Sequence, residues 1–309
     1  MTVSTVRKVQ QLTGHNSAVY GLTPGPEPRT FLSAGGDGWI VQWSLGEKDE
    51  KGELLGRLLA KVDTQVFSLV YIPTTHTVVA GDMNGGVHWV NLQEERPNRH
   101  IAHHHKGTFG FQIVGEELVS IGGDGIITRW DILRQSSIES LQLSAQPLRS
   151  VLHLSTRNEL IIGSSDHSIY RIGLADFDVR ETIKAAHDNS VFALCAPSST
   201  SEMLYSGGRD AQLKQWQLGE ATQLQEAQPA HWYTINDLIA DPSGETIFSA
   251  SRDKTIRVWD SKTFKLRKTL DAPRDGGHVN SVNRLLWLDD SPYFVSASDD
   301  RSLIIWEVS

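Results

Sequence analysis

The sequence predicts an all-β fold in which a four-stranded antiparallel unit recurs seven times and closes into a ring. Three observations predict it. The first is a repeated pattern, Ser followed four residues later by Asp and six after that by Trp. It stands at Ser33, Asp37, Trp43; Ser120, Asp124, Trp130; Ser206, Asp210, Trp216; Ser249, Asp253, Trp259; and Ser296, Asp300, Trp306. Weaker copies fill the gaps, with Asn84 and Val90 in one and Asp166 and Ile172 in the other at the Asp and Trp positions. The second is spacing: positions 43, 90, 130, 172, 216, 259 and 306 lie 47, 40, 42, 44, 43 and 47 residues apart, near the ~40–45 residues of a β-propeller blade. The third is an offset. The chain stops on the third strand of the seventh copy, at Trp306 to Ser309, while an extra strand at residues 3–12 precedes the first. An open ring would leave an unpaired edge, an aggregation hazard, so residues 1–12 are expected to supply the outer strand of blade seven. Residues 1–309 then form a single domain.

The elements follow in order. After the leading strand come Gly14-His15, a short apolar strand at 19–22 and a turn, TPGPEPR. TFLSAG (30–35) and WIVQWSL (39–45) read as the second and third strands, and LLGRLLAKV (54–62) as the fourth, after the charged loop GEKDEKGE. Short alternating strands punctuated by Gly, Pro and Asp are the all-β signal, and the same cycle runs to the end without a convincing amphipathic helix.

Composition narrows the function classes. The chain has 21% charged residues, 39% hydrophobic residues and a net charge of −8, which disfavours bulk attraction to nucleic acid or anionic membrane. No run reaches the ~18 apolar residues of a membrane helix, and the first residues lack the apolar core of a signal peptide. A single cysteine, Cys195, excludes an intramolecular disulfide and suits a reducing compartment. It follows VFAL in an inner strand and reads as a small buried hydrophobe. The expected location is cytoplasmic.

Upstream of each complete copy sits a histidine: His15, His104, His187, His231 and His278. One Ser, His and Asp set alone would suggest a hydrolase triad. Five sets argue for structure, because the indole N–H can donate to Ser, Ser to one imidazole nitrogen, and the other nitrogen to Asp. Such a chain satisfies each buried polar group and fixes the tautomer. The second copy has Val62 and Ala80 at the His and Ser positions, and the fourth has Ser144 and Ile162. Those two blades are expected either to have drifted, held by packing alone, or to have relaxed where a partner binds.

The Asp-x-x-apolar-x-x-Trp pattern and its upstream histidines resemble the WD-repeat family over essentially the full length. The resemblance implies a seven-bladed propeller whose Ser, His, Asp and Trp sets tie the inner strands to the preceding loop. It also implies that residues five after the His and one before the Asp ring the channel on the top face. Carried over, the first set is Tyr20, Phe67, Phe109, Arg149, Phe192, Asn236 and Asn283. The second is Gly36, Met83, Gly123, Ser165, Arg209, Arg252 and Asp299. Aromatics and arginine are enriched at interface hot spots, so the expected partner is a peptide or protein carrying apolar and acidic groups.

Other constellations are weaker. His103, His104 and His105, with His100 nearby, could suggest metal, but the repeat already uses His104, and a solvated loop with no metal is the expectation. The basic segment KTFKLRKTL (262–270) falls on the outer strand of blade six, where lysines block edge pairing. No Walker motif, dinucleotide glycines or paired catalytic carboxylates are present. The sequence therefore predicts a non-catalytic interaction scaffold without cofactors, a monomer by itself that joins a complex. The alternatives are a lactonase-like propeller enzyme with a central-channel site and a nucleic-acid-associated adaptor.

Overall fold

The computed structural model describes residues 5–48, 54–93, 96–198 and 202–309. Among them, seven four-stranded antiparallel sheets follow one another round a central channel. Blade one is built from Val19–Pro24, Thr30–Gly35, Trp39–Lys48 and Leu54–Lys61, paired in sequence order. The first strand of each blade lies innermost and touches the first strands of its neighbours. The two helices described are single turns, at Pro73–Thr75 and Ala272–Asp275.

The offset resolves as a shared blade. Val6–Thr13 pairs antiparallel with Ser302–Val308, from Val6 opposite Val308 to Thr13 opposite Ser302. Val6 and Leu12 are buried in it, so closure rests on packed side chains as well as backbone bonds. The second strands carry the core: Phe31, Leu32, Val78, Val79, Leu160, Ile161, Phe248 and Phe294 are all fully buried. Their side chains fill the space between adjacent blades, as in the cluster that joins Trp43 and Phe31 of blade one to Val295 and Ile305 of blade seven.

Every innermost strand contains the same irregularity. Its pairing with the second strand slips by one residue, between Val19 and Gly21, Val66 and Ser68, Thr108 and Gly110, Leu148 and Ser150, Val191 and Ala193, Ile235 and Asp237, and Val282 and Arg284. A β-bulge leaves one residue unpaired and re-aims its side chain. The seven residues so released are Tyr20, Phe67, Phe109, Arg149, Phe192, Asn236 and Asn283.

Candidate functional site

Five blades carry the four-residue chain in one geometry. The Trp Nε1–H donates to Ser Oγ at 2.8–2.9 Å. The Ser hydroxyl lies 2.7–2.9 Å from His Nε2. His Nδ1 lies 2.8–3.1 Å from the Asp carboxylate. Because the Asp carboxylate can only accept, Nδ1 carries the ring proton toward it, and the bare Nε2 accepts the Ser hydroxyl proton while Ser Oγ accepts from Trp. Each Asp also clasps two backbone N–H groups. Asp253 accepts from Trp232 at 3.1 Å and Thr255 at 3.0 Å, which staples the loop entering the blade to the turn beside it. Burial pushes the Asp253 carboxyl up, but the His231 bond and charge, with Thr255 and the Trp232 N–H, hold it well below the ordinary range. At Asp124 the same opposition leaves about 2. Each Ser and His is buried.

Blades two and four correct the expectation of packing alone. In blade four Ser144, at the His position, donates to Asp166 Oδ2 at 2.6 Å, and the Tyr170 hydroxyl donates to the same oxygen at 2.5 Å. Burial and the bonded Asp166 push the Tyr170 phenol up to about 12. In blade two Asp82 replaces Asn84 as the acceptor of the turn: its Oδ1 takes the Asn84 and Gly86 N–H groups, each at 2.8 Å. Its Oδ2 lies 2.8 Å from His88 Nε2. The substitutes went unnoticed in sequence because they occupy other register positions: Asp82 two residues before Asn84, His88 and Tyr170 two before the Trp position.

The seven bulged residues, with Arg284, line one cavity of about 280 Å³ at the channel mouth. Four aromatics and one arginine form a continuous arc. Tyr20 meets Phe67 edge-on with centroids 5.4 Å apart, and Phe67 stacks on Phe109 at 5.6 Å. The Arg149 guanidinium sits 4.4 Å from the Phe109 centroid and 5.3 Å from that of Phe192. Its Nε donates to Ser165 Oγ at 2.8 Å, and among the described residues no carboxylate is paired with it. Burial, then the Arg209 charge, lowers its pKa from the ordinary arginine value.

The other side of the mouth is self-satisfied. Asn236 Nδ2 donates to Ser281 Oγ and to the Val282 carbonyl, 3.0 and 2.8 Å away. Asn283 Nδ2 donates to the Val19 carbonyl and to Asp299 Oδ1, 3.0 and 2.7 Å away. These amides stitch one blade to the next. Below them Asp237 accepts the Leu238 and Leu285 N–H groups and pairs with Arg284 at 3.5 Å. Burial raises its carboxyl above the usual range.

The second expected set stands outside this lining. Met83, Arg209 and Arg252 are exposed, while Gly36, Ser165 and Asp299 are half-buried. Gly123 packs close to Phe109, where a Cβ would lie 2.9 Å from Cε2 of the ring. Sequence reasoning missed Arg284 and the exposed pair Trp232 and Tyr233, 83% and 60% accessible. The pair lies on the same face, just before Asn236, and its position directly after His231 was the available signal.

The remaining candidates fall as follows. His104 belongs to its blade's chain. His103 is no solvated residue: it is half-buried, packs on Trp130 with centroids 4.5 Å apart and lies 2.8 Å from Thr128 Oγ1. A carboxylate, that of Asp82, does approach His100, at 4.0 Å. Within the basic segment Leu266–Leu270 is the outer strand of blade six, with Lys268 paired to Asp275. Cys195 is buried and free, and burial pushes its thiol up. Among the described residues no helix is long and apolar enough to cross a membrane.

Comparison with known proteins agrees with this geometry. The WD40 beta propeller domain of Doa1 superposes with a TM-score of 0.83 at 18% identity, covering 98% of this chain and 97% of that one. Protein tipD of Dictyostelium discoideum is 22% identical over 300 residues, 96% of this chain and 48% of tipD. The human kinesin-like protein KIF21A is 28% identical over 206 residues, 62% of this chain and 11% of that protein. The chain thus spans about half or less of the length of these curated relatives. The family model described as WD domain, G-beta repeat, matches residues 6–44, 180–217, 222–260 and 264–307. With its fold, its repeated Ser, His, Asp and Trp chains and these matches together, the chain belongs to the WD domain, G-beta repeat family.

Proposed function

We propose that this propeller is a non-catalytic scaffold that captures a peptide or a protein loop at its channel mouth. Propellers of this family are commonly protein-interaction scaffolds. The observation that carries the reading is the arc of Tyr20, Phe67, Phe109, Arg149 and Phe192, raised from the sheet by consecutive bulges. Aromatic rings give contact area at low entropic cost, and a guanidinium grips a carboxylate through two parallel hydrogen bonds. Arg149 is flanked by rings and lacks an acidic partner, so the ligand it suits presents an apolar side chain next to Asp or Glu. Arg209, Arg252 and the exposed Trp232 and Tyr233 widen the mouth toward blades five and six, and Met83 widens it toward blade two. The proposal includes a reducing, cytoplasmic setting, supported by the free buried thiol of Cys195, and a monomer that joins a complex.

The test is selection from a random peptide display library on the immobilised wild-type protein. Enriched sequences are expected to pair an aromatic or aliphatic residue with an acidic neighbour. The double variant Arg149→Ala, Phe192→Ala should lose their capture while melting close to wild type. Retained capture by that variant would remove the mouth as the site. Basic enriched sequences would overturn the ligand chemistry.

A further inference from the structure

Blade two holds a side-chain cluster that the repeat itself does not use. Asp82 ends the strand Thr77–Asp82, His88 lies within Gly86–Asn91, and His100 lies within Arg99–Ala102, directly opposite His88. Three adjacent strands therefore each contribute one ligand-type group. Their ligand atoms all lie within 4.8 Å of one another, with His88 Nε2 at 2.8 Å and His100 Nε2 at 4.0 Å from Asp82 Oδ2. The imidazoles stack with centroids 4.4 Å apart. The Asn84 and Gly86 N–H groups hold Asp82 Oδ1 and leave Oδ2 facing the two rings.

A second observation is the residue at the base of the cluster. Two positions after the turn Asp, the other six blades carry Trp39, Ile126, Ser168, Gln212, Thr255 and Ser302, and blade two alone has glycine, Gly86. A Cβ on Gly86 would stand 2.4 Å from Asp82 Oδ2 and 2.5 Å from His100 Nε2. The missing side chain opens space where the three ligand atoms converge.

We propose that Asp82, His88 and His100 bind one divalent transition-metal ion of the Zn²⁺ class, with its remaining position open to water or an incoming ligand. Two imidazoles and a carboxylate form a donor set that suits Zn²⁺ and its neighbours rather than Mg²⁺ or Ca²⁺. Tetrahedral bonds of ~2.0–2.1 Å put ligand atoms about 3.3 Å apart, and the separations of 2.8 and 4.0 Å straddle that value. His100 is more than half exposed and can close the gap by side-chain rotation. The ion cross-links three strands in one of the two blades that lack the Ser, His, Asp and Trp chain, and it pins an outer strand of only four residues.

The experiment uses the full chain, freed of any affinity tag and stripped by a chelator, titrated with ZnCl₂ by calorimetry and with CoCl₂ by visible absorption. Wild type is expected to take up one ion per chain, and Zn²⁺ should raise its melting temperature, since an ion that binds only the folded state stabilises it. His100→Ala keeps the Asp82–His88 bond and should fold. It is expected to bind at least ~10-fold more weakly and to lose the Zn²⁺-dependent rise in melting temperature. His105→Ala, in the exposed neighbouring position, should bind as wild type. Absence of a single-equivalent isotherm in wild type, or unchanged binding by His100→Ala, overturns the site. Loss of binding in His105→Ala alone overturns it as well, by moving the ion to the 103–105 run.

Discussion

Arg149 is stacked between two rings of the neighbouring blades, its guanidinium 4.4 Å from the centroid of Phe109 and 5.3 Å from that of Phe192. The rings desolvate the group and Ser165 Oγ takes its Nε–H, while among the described residues no carboxylate pairs with its terminal N–H groups. Lysine keeps the charge but has neither the planar stack nor the fork. Arg149→Lys is therefore expected to weaken acidic peptides selected on the wild type by about 10-fold, roughly one bidentate contact. Calorimetric titration of one such peptide checks this, and affinity equal to wild type would show that charge alone suffices.

Asp253 collects His231 Nδ1, the Trp232 and Thr255 N–H groups and the Thr255 hydroxyl. Replacing it with alanine strands those donors, and each buried unsatisfied group costs about 1–3 kcal/mol. Asp253→Ala should lower the melting temperature by several degrees and leave the mouth geometry, and so peptide capture by the folded fraction, intact. Differential scanning calorimetry decides it: melting as in wild type would mean that the carboxylate contributes nothing to stability.

Acid should destabilise the ring in two stages. Burial lowers the His231 pKa below its ordinary value, against the opposing pull of Asp253. Folding therefore favours the neutral ring, and that stability is complete above the unfolded pKa of about 6.5 and declines below it. The carboxylates of Asp124, Asp210, Asp253 and Asp300 are all lowered. Their contribution is complete above the unfolded pKa of about 3.9 and is lost as pH falls through the folded values. Melting temperature plotted against pH should thus bend gently below about 6.5 and steeply below about 4. A flat profile between pH 7 and 3 would contradict both assignments.

Ring closure depends on the eight residues of Val6–Thr13. Without Val6–Thr13, the strand Ser302–Val308 would present an open row of backbone groups and uncover Leu303 and Trp306. Deleting residues 1–13 is expected to produce aggregation or a large drop in melting temperature, as unprotected edges recruit other chains. Sedimentation velocity and light scattering during heating read this out. A monomer that melts unchanged would mean that the blade tolerates three strands.

In blade four, Tyr170→Phe removes one of two hydroxyls held by Asp166. A loss of about 1 kcal/mol is expected, the usual net value of such a bond, measured by urea unfolding. No loss would return blade four to packing alone.

Much of this was legible beforehand, because a period of one blade, a Ser, His, Asp and Trp set and a strand offset are all written along the chain. What stayed hidden depends on neighbours brought together only by folding. His88 and His100 are twelve residues apart in sequence yet face each other across two strands, and nothing in their spacing distinguishes them from the adjacent histidine run. Ser144 looked like a loss because it is no histidine, yet it donates to Asp166 from the His position, and the second donor, Tyr170, stands two residues before the Trp position, where the pattern was not read. The amides of Asn236 and Asn283 looked available to a ligand, and the adjoining blade engages them.

The slip that frees Tyr20, Phe67, Phe109, Arg149, Phe192, Asn236 and Asn283 from strand register has a consequence for how such a molecule diversifies. A residue excused from the pleat is under little obligation to be β-branched, apolar or of a given volume, since no cross-strand partner depends on its side chain. Seven such positions meet at one opening; Asn236 and Asn283 also tie one blade to the next, but at the other five the residues that enforce the architecture stand elsewhere. Recognition can be rewritten there one letter at a time with the scaffold unaltered, and two propellers with superimposable backbones can read unrelated ligands.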